Sequence, residues 1–152
     1  MNTVAIIQAR VGATRLPGKV LKKILGKPML ELELERVARA KTLDQIVVAT
    51  TTRAADLPII HLTDKLNVLF FRGSETNVLS RYYHTAKKFS ADAIVRITGD
   101  CPLIDPAIID QAIDVFKAGD YDYVSNVHVR SFPRGMDVEV FSFIALQAAW
   151  QQ

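Results

Sequence analysis

Arg10, Arg15 and Lys19 crowd the short stretch Gln8-Ala9-Arg10-Val11-Gly12-Ala13-Thr14-Arg15-Leu16-Pro17-Gly18-Lys19, which follows directly on the apolar run Val4 to Ile7. A guanidinium offers phosphate oxygens a planar fork of donors, and an ammonium offers them a compact point charge. Gly12 and Gly18 allow the backbone between these cations to turn sharply and to come close to a ligand. No acidic residue precedes Glu31, so Lys22, Lys23 and Lys27 add to a positive charge that nothing nearby in sequence offsets. Phosphate binding is the expected chemistry, weighed against a basic loop that is merely solvated. The stretch is not a Walker loop, because too many residues separate Gly12 from Gly18-Lys19 and Val20 stands where a magnesium-binding hydroxyl belongs. The dinucleotide fingerprint G-x-G-x-x-G is also absent, and Pro17 occupies the place where its helix would begin.

A second group of functional residues follows the apolar run Ala93 to Ile97: Thr98-Gly99-Asp100-Cys101-Pro102-Leu103-Ile104-Asp105-Pro106. Gly99 permits close backbone approach, Asp100 is delivered at the carboxyl end of a strand, and Pro102 stops the strand ladder. If both strands run parallel, this carboxylate and the cationic loop share the sheet edge where ligands bind in open α/β folds. A carboxylate facing phosphates calls for a hard cation between them, and magnesium is the expected one, with Asp100 as its ligand. Asp105 before Pro106 reads instead as a helix cap.

The elements needed to position these groups are legible as β-rich runs alternating with segments of helical period. Strands are expected at Thr3–Gln8, Gln45–Thr50, Val68–Arg72, Ala93–Ile97, Tyr123–Asn126 and Val138–Phe141. Helices are expected between them, on the apolar sets Leu30, Leu34, Val37, Ala38, then Leu79, Tyr82, Tyr83, Ala86, then Ile109, Ala112, Ile113, Phe116, with Pro28 in the first turn of the earliest. This is an α/β chain of 152 residues, the size of one domain, with 49% hydrophobic and 23% charged residues. No apolar run approaches the length of a membrane span and no secretory leader is visible, so a cytoplasmic protein is expected. The single Cys101 excludes an internal disulfide and a zinc framework and is expected to be a small buried side chain. A net charge of +3 without a Lys/Arg block or an aromatic platform gives no reason to expect nucleic acid as a partner. His61, His84 and His128 are scattered and form no nucleophile set with Ser or Cys.

Gln8 to Lys19, Gly26-Lys27-Pro28-Met29, Phe71-Arg72-Gly73-Ser74, Asn77-Val78-Leu79-Ser80-Arg81-Tyr82, Arg96 to Pro106 and Gly135-Met136-Asp137-Val138-Glu139-Val140-Phe141 occur in this order along the chain. Together they resemble the cytidylyltransferase family, in particular the spore coat polysaccharide biosynthesis protein F group, which is similar to acylneuraminate and ketodeoxyoctonate cytidylyltransferases. The resemblance implies a nucleotide-diphosphosugar transferase fold, a Rossmann-like three-layer α/β/α sandwich on a mostly parallel sheet, formed by residues 1–152 as one domain. It implies joining of CTP and a sugar to give a CMP-sugar and pyrophosphate, with magnesium, in surface or spore coat polysaccharide biosynthesis. Gln8, Ala9, Arg10, Gly12, Arg15 and Lys19 would bind the nucleotide, with Arg10, Arg15 and Lys19 on its triphosphate; Arg15, Lys19 and Asp100 would act in catalysis, and Asp100 would hold the metal. Arg72, Asn77 and Arg81 would lie near the nucleotide, and Asp137 and Glu139 on the sugar side. The bland alternatives are a helix-surface arginine for Arg81 and two solvated carboxylates on one strand face for Asp137 and Glu139. Ala13 stands where relatives commonly have Ser, and Thr98 where the ketodeoxyoctonate enzymes have Gln, so base choice stays open.

The pattern Ser142 to Gln152 is helical and stops without a glycine. The resemblance implies that the family's later segment, with a second metal-binding carboxylate, lies outside these residues. A catalytically weak nucleotide-binding or partner-binding domain is therefore the alternative to an active transferase. A relative of the phosphate-dependent glycosyltransferases is a further one. Homodimerisation is also open, with Leu32 and Trp150 as candidate contact residues.

Overall fold

A computed structural model describes residues 1–152. Its sheet has six strands in the order β5-β4-β1-β6-β8-β7, formed by β1 (Thr3–Gln8), β4 (Gln45–Thr51), β5 (Leu69–Gly73), β6 (Ala93–Thr98), β7 (Tyr123–Ser125) and β8 (Glu139–Ser142). Strands β1, β4, β5 and β6 are mutually parallel, and β8 runs antiparallel to both β6 and β7. The expected strands are all present, with ends shifted by a residue or so. The α/β sandwich with a mostly parallel sheet is the observed fold.

Strands β1 and β4 are apolar along residues 4–7 and 46–49, and β6 along residues 93–95, because both of their faces are covered. Side chains alternate across the sheet, so each strand divides its residues between two cores. Val4, Ile6, Val47, Ala49 and Ile94 face one side, where they meet Tyr82, Tyr83 and Ala86 of α3 (Val78–Lys88) and Leu146 of α5 (Phe143–Gln151). Ala5, Ile7, Val48, Val95 and Ile97 face the other, against α1 (Met29–Val37), α2 (Leu57–Lys65) and α4 (Pro106–Ala118). Residues of these faces such as Leu30, Ile59, Ile109 and Ile113 are fully buried. At about 25 cal/mol per Å² of apolar surface, each large side chain so buried contributes roughly 1.5–3 kcal/mol.

Asp105 caps α4 as expected, its Oδ1 accepting the Ala107 N–H at 2.9 Å. A small hairpin, β2 (Lys23–Ile24) with β3 (Lys27–Pro28), was not expected. Its turn places Leu25 at φ 50° and Gly26 at φ 84°, the left-handed pair that two-residue hairpins require, and Leu-Gly is a weak signal for it. Pro28 consequently ends the hairpin and precedes α1 rather than opening its first turn. Trp150 is docked on the domain, stacked on Tyr83 at 5.5 Å between ring centroids, and both it and Leu32 are half-buried. No helix is long and apolar enough to cross a membrane.

Candidate active site

The chain moves outward from β1 to β4 and β5, then crosses back to place β6 on the other side of β1. Between the carboxyl ends of β1 and β6 the connections diverge, which leaves the crevice where such sheets bind ligands. Gln8 and Thr98, the last residues of these strands, stand side by side in the parallel ladder. The cationic loop leaves from one and the acidic turn from the other.

A cavity of about 360 Å³ opens there, lined by Gln8, Ala9, Arg10, Arg15 and Lys19 on one rim and Thr98, Gly99 and Asp100 on the other. Lys19 Nζ donates to Asp100 Oδ2 in a close ion pair across the mouth. Burial works to raise the Asp100 carboxyl, but hydrogen bonds from Lys19 and Thr98 and the Lys19 charge outweigh it and hold it below its ordinary range. Gly99 fits where nothing larger does: a Cβ there would stand 2.8 Å from the Gln8 carbonyl oxygen and 2.9 Å from Ala9 Cβ. That closeness lets the Gly99 N–H donate to the Gln8 carbonyl at 2.8 Å and seals the base of the crevice.

The loop after β1 closes on itself. The Val11 carbonyl accepts N–H groups from Ala13 at 2.8 Å and Gly18 at 2.9 Å, and Gly18, at φ +67°, makes the left-handed turn that aims Lys19 inward. Gly12 has ordinary backbone geometry with open space around it and does not line the cavity, so the loop's close turn belongs to Gly18 alone. The loop is anchored from outside by Asp56, which is 2% exposed. Its Oδ1 accepts the Val11 N–H at 2.7 Å, and its Oδ2 accepts from the Thr51 hydroxyl.

A second cavity of about 310 Å³ adjoins the first along Gln8, Ala9 and Arg10 and is walled by Glu75, Thr76, Val78 and Arg81. Arg81 is 2% exposed, which overturns the surface reading of this residue. Its Nη1 donates to the Ser74 carbonyl at 2.6 Å, while Nε is buried without a partner. Gln8 Oε1 is likewise buried and unpaired, and Gln8 faces both cavities.

Other sequence-predicted residues serve the frame. Arg72 lines neither cavity; its Nε donates to the Thr51 carbonyl at 3.1 Å and its Nη2 to the Thr52 and Arg53 carbonyls at 2.8 and 3.2 Å, fastening the loop that carries Asp56. Asn77 caps α3 by accepting the Ser80 N–H at 2.8 Å. Asp137 is paired with Arg130 at 2.6 Å and Glu139 with Arg96, so both carboxylates are held by arginines outside the two cavities rather than simply solvated.

Sequence reasoning missed Asp56 and Glu33. Glu33 on α1 has no exposed surface, and its Oε2 accepts the Cys101 N–H at 3.0 Å. Burial pushes its carboxyl up to about 8; the Cys101 hydrogen bond opposes this and the Asp100 charge adds to it. The available signal was its place in Leu30-Glu31-Leu32-Glu33-Leu34, one turn after Leu30 and beside Leu34 on the core-facing stripe. Cys101 is buried as expected, and burial chiefly pushes its thiol up to about 11, away from the thiolate form.

A sequence profile of the family described as Cytidylyltransferase matches residues 4–150. The spore coat polysaccharide biosynthesis protein SpsF of Bacillus subtilis is 36% identical over 127 residues, which cover 80% of this chain and 53% of that protein. A 3-deoxy-manno-octulosonate cytidylyltransferase of Trichlorobacter lovleyi is 43% identical over 117 residues, covering 76% of this chain and 45% of that one. The solved structure of a cytidylyltransferase from Leptospira borgpetersenii superposes with a TM-score of 0.96 at 38% identity, over 99% of this chain and 64% of that one. This chain thus spans about half the length of the two curated relatives, and it belongs to the cytidylyltransferase family.

Proposed function

We propose that this chain binds CTP across the two adjoining cavities and transfers its cytidylyl group to a sugar hydroxyl, giving a CMP-sugar and pyrophosphate for surface polysaccharide synthesis. The observation that carries this reading is the Lys19–Asp100 pair, which joins a cationic loop and a carboxylate at the sheet's switch point. The triphosphate belongs in the first cavity, against Arg10, Arg15 and Lys19. The base side of the nucleotide belongs in the second, between Gln8 and Arg81, whose Oε1 and Nε have no partner within the protein.

The sugar oxygen attacks the α-phosphorus, the bond from that phosphorus to the bridging oxygen of pyrophosphate breaks, and the hydroxyl proton leaves to solvent. Little covalent work falls to the protein in such a transfer, so rate comes from alignment and from donors placed where negative charge grows. Arg15 and Lys19 stand where they would balance the departing pyrophosphate. The donor set also fits magnesium. Asp100 is a lone carboxylate, and no group of three or more His, Cys, Asp or Glu converges anywhere in the chain. Such a site suits a hard cation that retains its waters and arrives on phosphate oxygens rather than one caged by protein. Bound at Asp100, magnesium would neutralise phosphate charge.

The test is pyrophosphate release from CTP, ATP, UTP and GTP against a panel of acidic and neutral sugars, with calorimetric binding of each nucleotide. Release that requires CTP and a sugar is expected. Absence of CTP binding would sink the reading, while binding without release would reduce the chain to a nucleotide-binding domain.

A further inference from the structure

Helix α1 grips the acidic turn from behind. Glu33 Oε2 holds the Cys101 N–H at 3.0 Å, and Arg36 Nε donates to the Ile104 carbonyl at 2.7 Å. Three residues apart, these side chains share one helix face and pin the turn near both its ends. A carboxyl buried at this position is costly, because its Oε1 is sealed from solvent with no partner. The neighbours on the same face, Leu30, Leu34 and Val37, show that packing alone calls for an apolar side chain here. What a carboxyl adds is its hold on one amide. The Asp100 carbonyl and the Cys101 N–H belong to the same planar peptide unit, so fixing that N–H fixes the backbone rotation that directs Asp100.

We propose that Glu33 is a positioning residue for Asp100: its hydrogen bond to the Cys101 amide sets the direction in which the Asp100 carboxylate meets the cationic loop and the metal carried by the nucleotide. The inference rests on the assignment of Asp100 made above. Neither cavity is lined by Glu33, so it acts only through the turn.

The test is calorimetric CTP affinity in saturating magnesium and in EDTA, for wild type, Asp100→Ala, Glu33→Gln and Glu33→Met, with thermal midpoints and hydrogen exchange of the Cys101 amide. Asp100→Ala sets the benchmark by removing the magnesium-dependent gain in affinity. Glu33→Met is expected to lose that gain by about tenfold, within the range for residues that orient metal ligands. Its affinity in EDTA is expected to be retained and its thermal midpoint to shift by no more than about 5 °C, since the donor left at Cys101 is offset by removal of the buried, unpartnered Oε1. Glu33→Gln, which can still accept the Cys101 N–H, is expected to rescue the gain. A Glu33→Met protein that keeps the full magnesium gain while Asp100→Ala loses it overturns the role of Glu33. Unchanged magnesium dependence in Asp100→Ala instead overturns the assignment of Asp100 and, with it, this inference. If the wild type binds no CTP, the exchange arm decides on Glu33: faster exchange at Cys101 alone in Glu33→Met supports its hold on the turn, and unchanged protection overturns it.

Discussion

Replacing Glu33 by Gln should change how stability depends on pH in a direction opposite to that of most carboxylates. The folded state holds this carboxyl at about 8 against an ordinary value of 4.5. Between those values the folded protein keeps a proton that the unfolded chain has lost, so stability falls as pH rises. Full stabilisation is present below 4.5 and is gone above about 8. Each pH unit inside the window costs about 1.4 kcal/mol, and the whole window roughly 5 kcal/mol. The side-chain amide of the Glu33→Gln variant does not titrate, yet it keeps the shape and the acceptor for Cys101. Urea unfolding of both proteins at about pH 5.5 and about pH 7.5 isolates the effect, because every other group is common to the two. Wild type should lose about 3 kcal/mol relative to Glu33→Gln over that interval. Parallel stability curves for the two proteins would mean that the Glu33 carboxyl ionises as freely folded as unfolded, and would refute the argument from burial.

Three further outcomes follow from the geometry. Lys19→Ala should weaken CTP binding by about 10- to 100-fold, the worth of one charged hydrogen bond to phosphate, and nearly abolish pyrophosphate release; unchanged kinetics would remove Lys19 from the mechanism. Asp56→Ala leaves the Val11 N–H and the Thr51 hydroxyl without their acceptor and should cost roughly 2–4 kcal/mol in denaturant unfolding, with CTP affinity falling as the loop loosens. Gly99→Ala forces a Cβ against the Gln8 carbonyl and Ala9, which should cost roughly 1–3 kcal/mol and part the ends of β1 and β6, and a crystal structure of the variant with those ends unmoved would contradict this.

The parallel sheet was readable because its strands are largely β-branched and apolar runs, and the two loops of the candidate site because glycines and charged residues follow those runs directly. The two cores could also be anticipated, since Leu30, Leu34 and Val37 or Tyr82, Tyr83 and Ala86 repeat at helical spacing. The braces were not readable. Asp56 and Glu33 act over 45 and 68 residues of chain, on Val11 and Cys101, and although Glu33 falls on the core-facing stripe of α1, nothing in sequence names either partner. The motif resemblance puts Arg81 beside the nucleotide with a helix-surface position as the alternative, and only its burial and its bond to the Ser74 carbonyl exclude the surface. Arg72 carried a motif resemblance, yet its three donor contacts are all to backbone carbonyls, which no spacing in the sequence reveals.

The ionisable groups around the crevice fall into two kinds, and the difference would suit the proposed turnover. Asp56 and Glu33 are buried and bonded to backbone N–H groups, so releasing either strands a donor in the interior. Lys19 and Asp100 are about a third exposed, and an ion pair so placed is worth about 1 kcal/mol or less. A triphosphate can take Lys19 and a hard cation can take Asp100, each offering a stronger partner than the one displaced, without either loop losing its anchor. On the proposed reading, the pair would keep the two rims in register in the free protein and yield to a bound nucleotide. Asp56 and the Glu33 carboxyl would hold the loops in place during that exchange, so that binding energy is left for aligning the reacting groups.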